Sequence, residues 1–319
     1  MNAPLFVGID TSNYTTSVAV CDGEGKVLLN SRRLLSVGTA ERGLRQSEAV
    51  FAHIKNLPEL LRGLKAFLQG REVTAVGVSC RPRDAADSYM PCFLSGVAVA
   101  EAFSAGADIP LYRFSHQQGH IRAALETSGA LCHIGNSDFL SFHVSGGTTE
   151  LLCVHQTEGG MEVTLLGGTA DLNAGQAIDR TGVLMGMQFP CGPAMEQAAL
   201  RYDGKVTKPK LSVNGLECHL SGLENLAANL WRKTGSPEAV SAFVFTYIAE
   251  TLAALTRNAR EACGPLPVIY AGGVMSNSLI KSRLAGEGNV FFTVPEFSAD
   301  NAAGIALLCR NRWRQDVHE

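Results

Sequence analysis

Apolar and polar positions fall into two stretches with similar patterning. "LFVGID" is rich in strand formers, "TSVAVCD" follows a polar turn, and "GEG" leads into "KVLLNSR", which predicts a three-strand meander. Ala49, Ile54, Leu57, Leu60, Leu61 and Leu64 recur at helical spacing and predict a helix over 45–68. "VTAVGVS" (73–79) has the unbroken apolar character of a buried strand. The polar "CRPRDAADSYMPC" then precedes an Ala-rich helix, "FLSGVAVAEAFSAG", and "YRFSHQQGHIRAAL" reads as a further amphipathic helix.

Near residue 138 the pattern restarts. "FLSFHVSGGTTELLCVHQTEGGMEVTLLGG" again reads strand, small-residue turn, strand, turn, strand. "AGQAIDRTGVLMG" and "GPAMEQAALRY" predict helices, and a long helix fits 236–262 after a polar stretch near "DGKVTKPKLSVNG". "PVIYAGGVMSNSLIKSRLA" reads as strand, glycine turn and helix, and "NVFFTVPEFSADNAAGIALLCRNRW" is the last unit. "GIDTSNYTTSVAV" and "HVSGGTTELLCV" thus share a strand, a turn rich in small and hydroxyl residues, and a return strand. The expectation is two related α/β lobes, residues 1–135 and 136–319, with the last helix packing back on the first lobe.

Composition changes this picture little. The 319 residues, 46% hydrophobic and 18% charged, suit a globular chain of two domains. A net charge of -3 gives no global attraction for nucleic acid, although a local basic face or a partner would still supply contacts. No apolar run reads as bilayer-spanning, and "MNAPLFVGID" lacks a basic segment ahead of an apolar one. Nine cysteines without a CxxC pair fit small packed hydrophobes in a reducing, cytoplasmic setting.

The candidate chemistry sits at a few points. His116 and His120 are four apart, so a helix puts both imidazoles on one face, close enough to hold one metal ion or to be one packed and one solvated ring. "VSGGTTE" carries Ser145, Gly146 and Gly147 in a turn whose backbone N–H groups are open to an anion, although an ordinary tight hairpin uses the same residues. "YAGGVMSN" ends a strand in paired glycines with Asn277 in the first turn of the next helix, a usual ligand position in α/β sheets. Asp179 and Glu196 bracket a Pro-Cys-Gly-Pro corner, where they are either ordinary solvated carboxylates or partners for ribose hydroxyls. Asp300 reads first as a helix N-cap and second as a carboxylate completing a metal set with the histidines. His143 is a second candidate for that completion, since an imidazole within "FLSFHV" needs partners.

The ordered set "IDTS", "SHxxGH", "VSGGTT", "AIDR…PCGP", "SGL", "AGGVMSN" and "SADNAA" resembles the TsaD family, the tRNA threonylcarbamoyladenosine transferases formerly described as glycoproteases, over residues 4–311. The resemblance implies an α/β, two-lobed actin-like, sugar-kinase and Hsp70 (ASKHA) architecture. It places metal ligands on His116, His120 and Asp300, with His143 where one branch of the family has a metal-approaching tyrosine. It places the phosphate turn on Ser145, Gly146 and Gly147, and nucleotide contacts on Asp179, Gly192, Glu196 and Asn277. The implied ligands are one divalent ion, iron or zinc, and ATP or an adenylate. The implied chemistry is attack by the adenine N6 of tRNA on a threonylcarbamoyl-adenylate, with Asp10 as the candidate to orient the nucleophile.

Departures from the family pattern bear on the acceptor. The first turn reads Asp10-Thr11-Ser12-Asn13-Tyr14-Thr15-Thr16, without two acidic residues usual in the family. A "GPG" loop is replaced by "RPRDAADSYMP" (81–91), and Gln117-Gln118 stand where Met-Glu is common. A carbamoyltransferase with a small-molecule acceptor and a non-catalytic actin-like scaffold therefore remain rival expectations. Implied partners are the adenylate, tRNA and other actin-like subunits, with no membrane. A zinc protease is disfavoured, because "HxxxH" lacks the glutamate of that helix.

Overall fold

A computed structural model of the chain describes residues 3–12, 14–35, 45–85, 87–294, 297 and 302–318. The chain divides into two compact units, one of Met1–Thr127, His155–Val163 and Ala299–Glu319, the other of Ser128–Val154 and Thr164–Ser298.

In the first unit, β1 (Leu5–Ser12), β2 (Thr15–Asp22) and β3 (Val27–Leu34) form an antiparallel meander. β4 (Ala75–Arg81) lies parallel to β1 and β5 (Leu111–Ser115) parallel to β4, giving the order β3-β2-β1-β4-β5. Every residue of β1 is buried, which is why its apolar run is nearly continuous. Ile9 and Thr11 meet α2 (Phe93–Ala107) at Gly96, whereas Gly8 meets the C-terminal helix at Ala302 and Ala306. Alternation along the strand thus puts α2 on one face of the sheet and that helix on the other. Leu57 and Leu64 of α1 (Gln46–Leu68) join the core of the α2 face, with Val7, Ile9 and Ala100.

α3 (His116–Thr127) follows β5 directly. The single helix expected over "YRFSHQQGHIRAAL" is therefore wrong at its start: Tyr112 to Ser115 belong to β5, paired with β4, and the helix starts at His116. Tertiary pairing overrides a pattern too short to separate the two periods.

The second unit repeats the topology. β6 (Phe139–Val144), β7 (Thr149–Thr157), β8 (Gly160–Thr169), β11 (Val268–Ala271) and β12 (Val290–Phe292) stand in the order β8-β7-β6-β11-β12. The short β10 (Glu217–Cys218) and β9 (Val213–Asn214) extend the β8 edge. Phe142, Tyr270 and Phe292 stack across β6, β11 and β12 at centroid distances of 5.1 and 5.4 Å. Helices α4 (Leu131–Ile134), α5 (Ala174–Leu184), α6 (Gly192–Leu200), α7 (Ser221–Thr234), α8 (Pro237–Cys263), α9 (Ser278–Ala285) and the terminal α10 (Ala303–His318), with a 3-10 turn at Gly273–Ser276, complete the described elements. α8 is long and apolar enough to cross a membrane, contrary to the reading of the apolar runs, but 78% of its most apolar window is buried inside the protein. α7 has no counterpart among the predicted elements. Asp171 accepts hydrogen bonds from the amides of Leu220 and Ser221 and from the Ser221 hydroxyl, and these hold its carboxyl well below the usual range against the opposing effect of burial.

Candidate functional site

The segment "SHQQGH" encodes a capping box. The Gln118 amide N–H donates to Ser115 Oγ at 3.1 Å, and the Ser115 N–H donates to Gln118 Oε1 at 2.8 Å. This starts α3 at His116 and puts His120 one turn later. Gly119 has a packing role. A Cβ added at Gly304 of α10 would lie 1.8 Å from the Gly119 carbonyl oxygen, so the two helices touch backbone to backbone.

His116 Nε2 and His120 Nε2 converge to 2.9 Å, with the rings edge-on at 78°. Asp10, 1% exposed, sets the first ring: its Oδ2 lies 2.7 Å from His116 Nδ1, and its Oδ1 accepts the Ser12 amide at 2.7 Å. A carboxylate on Nδ1 keeps the proton there and leaves Nε2 with a lone pair for a ligand. Two nitrogens each about 2.0–2.1 Å from one ion stand about 2.9–3.4 Å apart at angles of about 90–110°. The donors present therefore fit a divalent ion of the kind that imidazole favours.

Asp300 lies outside the described residues. Among the described residues, no group of three His, Cys, Asp or Glu side chains forms a metal cluster. His143 belongs to the second unit, half-buried on β6 and paired in register with Glu150 and Ala271.

The second unit holds a pocket of about 280 Å³ that gathers Gly146, Asp179, Gly192, Glu196 and Asn277 with Gly175 and Gly273. The turn is closed by the Ser145 amide donating to the Thr148 carbonyl at 2.7 Å, while Ser145 Oγ accepts from the amides of Gly147 and Thr148. It rests on the start of α5, where a Cβ at Gly175 would lie 2.7 Å from the Gly146 backbone. Asp179 Oδ1 accepts the Cys191 amide at 2.8 Å and so fixes the corner that presents Gly192. Glu196 accepts from the amide and hydroxyl of Ser278, and Asn277 caps α9 by accepting the Ile280 amide at 3.0 Å. The polar residues read as nucleotide contacts therefore also build the wall: each carboxylate and amide is tied to backbone, and the exposed Gly146 and Gly147 leave the turn open.

Two features escaped the sequence reading. His53 on α1 is fully buried; its Nδ1 meets Thr16 Oγ1 at 2.8 Å, Thr16 also accepts from Asn56, and burial pulls the ring down to about 4. The imidazole is thus neutral beneath the first turn. A histidine on the buried stripe with Ala49 and Leu57 was the available signal. Gln118, noted only as a departure, also donates from Nε2 to Asp84 and to the Met161 carbonyl. Burial pushes the thiols of Cys21 to about 12 and of Cys92 and Cys218 to about 11, so they behave as packed hydrophobes rather than nucleophiles.

A family model described as TsaD, tRNA N6-adenosine threonylcarbamoyltransferase, matches residues 37–307. Among solved structures, HypF of T. kodakarensis is 15% identical, with a TM-score of 0.63 over 98% of this chain and 48% of its own. A ROK family glucokinase from Streptomyces griseus, in complex with glucose and AMPPNP, is 14% identical, with a TM-score of 0.55 over 96% of this chain and 99% of its own. The activator of the 2-hydroxyisocaproyl-CoA dehydratase from Clostridium difficile, with bound ADPNP, is 12% identical, with a TM-score of 0.52 over 98% and 97%. At such identities these likenesses show the fold alone, which is α/β of the actin-like, sugar-kinase and Hsp70 type.

Proposed function

The chain belongs to the tRNA N6-adenosine threonylcarbamoyltransferase (TsaD) family, and from that premise we propose that it moves a threonylcarbamoyl group from an adenylate to N6 of adenosine in tRNA. The observation that carries the reading is the pair of converging Nε2 atoms on His116 and His120, with the Asp10 carboxylate seated on His116 Nδ1. In this reading His116 and His120 would hold one divalent ion, iron or zinc, with Asp300, which the family resemblance adds, as a further ligand. A bound ion supplies Lewis acidity to the carbamoyl oxygen. Asp10 positions His116, since both its oxygens are engaged within the protein, and this is a different role from orienting the nucleophile.

The second unit takes the adenylate. The Gly146 N–H of the 145–147 turn steadies the phosphate, and Asp179 and Glu196 hold the walls that receive the nucleoside. The N6 lone pair forms the C–N bond, the carbamoyl C–O bond to phosphate breaks, AMP leaves with that electron pair, and the N6 proton passes to the departing phosphate or to water.

The test is incubation with threonine, bicarbonate, ATP and a threonylcarbamoyl-adenylate synthase, with or without total tRNA, followed by nucleoside mass spectrometry. Threonylcarbamoyl-adenosine in the tRNA supports the reading. AMP release without modified tRNA assigns another acceptor, and neither product leaves a scaffold role.

A further inference from the structure

The stretch 81–91 is tied to the histidine helix by groups that the transfer chemistry does not use. The Gln117 amide, next to His116, donates to the Pro82 carbonyl at 3.0 Å. Gln118 does more than cap: while Oε1 accepts from Ser115, Nε2 donates to Asp84 Oδ2 at 3.3 Å and to the Met161 carbonyl at 2.8 Å. Asp84 also accepts from Arg81 at 2.7 Å, so its charge is neutralised locally. The turn beyond is closed by the Arg83 amide on Ser88 Oγ at 2.9 Å and by the Ser88 amide on the Ala85 carbonyl at 3.2 Å. These bonds set the Arg83 backbone against Ser88, the residue before Tyr89, and both Arg83 and Tyr89 are exposed, Tyr89 at 65%.

Resting on the function proposed above, we infer that Gln118 is a positioning residue that fixes an acceptor-recognition edge, on which Arg83 pairs with a phosphate and Tyr89 stacks on a base of the tRNA. An exposed tyrosine beside an arginine matches the way single-stranded RNA is held, with the base on an aromatic face and the phosphate on a cation. Asp87 lies exposed on the same turn, so the edge is not a basic field. Recognition there is by stacking and a single ion pair, in keeping with a chain of net charge -3.

Gln118→Glu separates the tie from the cap. A glutamate oxygen still accepts the Ser115 amide, but it cannot donate to Met161, and it sets a second carboxylate against Asp84. The experiment follows the full-length protein by hydrogen exchange over 81–91, by metal content, by AMP affinity, and by total-tRNA binding across a salt series. In Gln118→Glu, exchange at 83–90 speeds up and tRNA binding weakens several-fold, while metal content and AMP affinity stay as in wild type. Tyr89→Ala weakens tRNA binding by several-fold to about a hundredfold. Arg83→Ala lowers the slope of log affinity against log salt by about 0.7–0.9. Loss of metal together with tRNA in Gln118→Glu overturns the inference, because Gln118 would then support the histidine helix as a whole rather than the 81–91 edge. Unchanged tRNA binding in Tyr89→Ala and Arg83→Ala overturns it while wild-type tRNA modification keeps the function standing. A wild-type protein that binds no tRNA removes both.

Discussion

Asp10→Asn tests how the histidine pair is set. The aspartate supplies two acceptors 1% exposed to solvent, Oδ1 for the Ser12 amide and Oδ2 for His116 Nδ1, each at 2.7 Å. Asparagine keeps the volume but offers one acceptor and one NH2 donor. Whichever way the amide turns, one partner N–H then faces a donor. If the Ser12 bond persists, His116 meets an N–H at Nδ1 and adopts the other tautomer, with its proton on the Nε2 that faces His120. Losing a hydrogen bond to a charged group costs about 1.5–3 kcal/mol, and removing a carboxylate behind a metal-bound histidine costs about 10–100-fold in metal affinity. The two figures agree, since about 1.4 kcal/mol is a factor of ten. Competition with a chelating dye measures the affinity for zinc or iron(II), and circular dichroism confirms that the variant is folded. An affinity within about twofold of wild type in folded Asp10→Asn would falsify the assignment of Asp10 to His116.

Gly304→Ala forces a Cβ against the Gly119 carbonyl oxygen, where backbone stands on both sides, so overpacking of about 1–3 kcal/mol is expected. Calorimetry then shows a Tm lower by about 2–4 °C per kcal/mol, and an unchanged Tm contradicts the close helix approach. Asp179→Ala releases the Cys191 amide and loosens the corner carrying Gly192; AMP binding by calorimetry weakens about tenfold or more, and equal affinity refutes the role of that corner. His53 carries a pH prediction. Burial lowers the folded ring to about 4 from its ordinary 6.5, so between these values the unfolded chain binds more protons. Its contribution to stability is full above pH 6.5 and fades as pH falls towards 4, with a slope of at most about 1.4 kcal/mol per pH unit. Urea unfolding across that range shows the slope in wild type and a smaller one in His53→Gln; parallel curves reject it.

Much of the architecture is legible because it is local. The meander of β1 to β3 and its repeat in β6 to β8 are written as strand-forming runs around small-residue turns, and α1 as a stripe of leucines. The Ser115-x-x-Gln118 box that starts α3 is equally local, but the sequence reading passed over it and ran the helix from Tyr112. Features built by distant partners were not legible. Asp10 and His116 are 106 positions apart, so nothing in either segment shows that one carboxylate sets the other's tautomer. α7 depends on Asp171, 50 positions before the amide it receives. Tyr112 to Ser115 read as helix because their strand character comes from β4 beside them. The residues that line the second unit's pocket were readable as a list, yet their bonds to Cys191, Ser278 and Ile280, which tie its wall together, emerge only from the fold.

The most direct test supplies preformed threonylcarbamoyl-adenylate, labelled in the threonine, to the metal-loaded protein with tRNA in a single turnover. The expected result is label on N6 of adenosine in the tRNA, in step with AMP release, and its loss in His116→Ala and His120→Ala. AMP released at the same rate with no label on the tRNA, or full labelling by the two histidine variants, would contradict it.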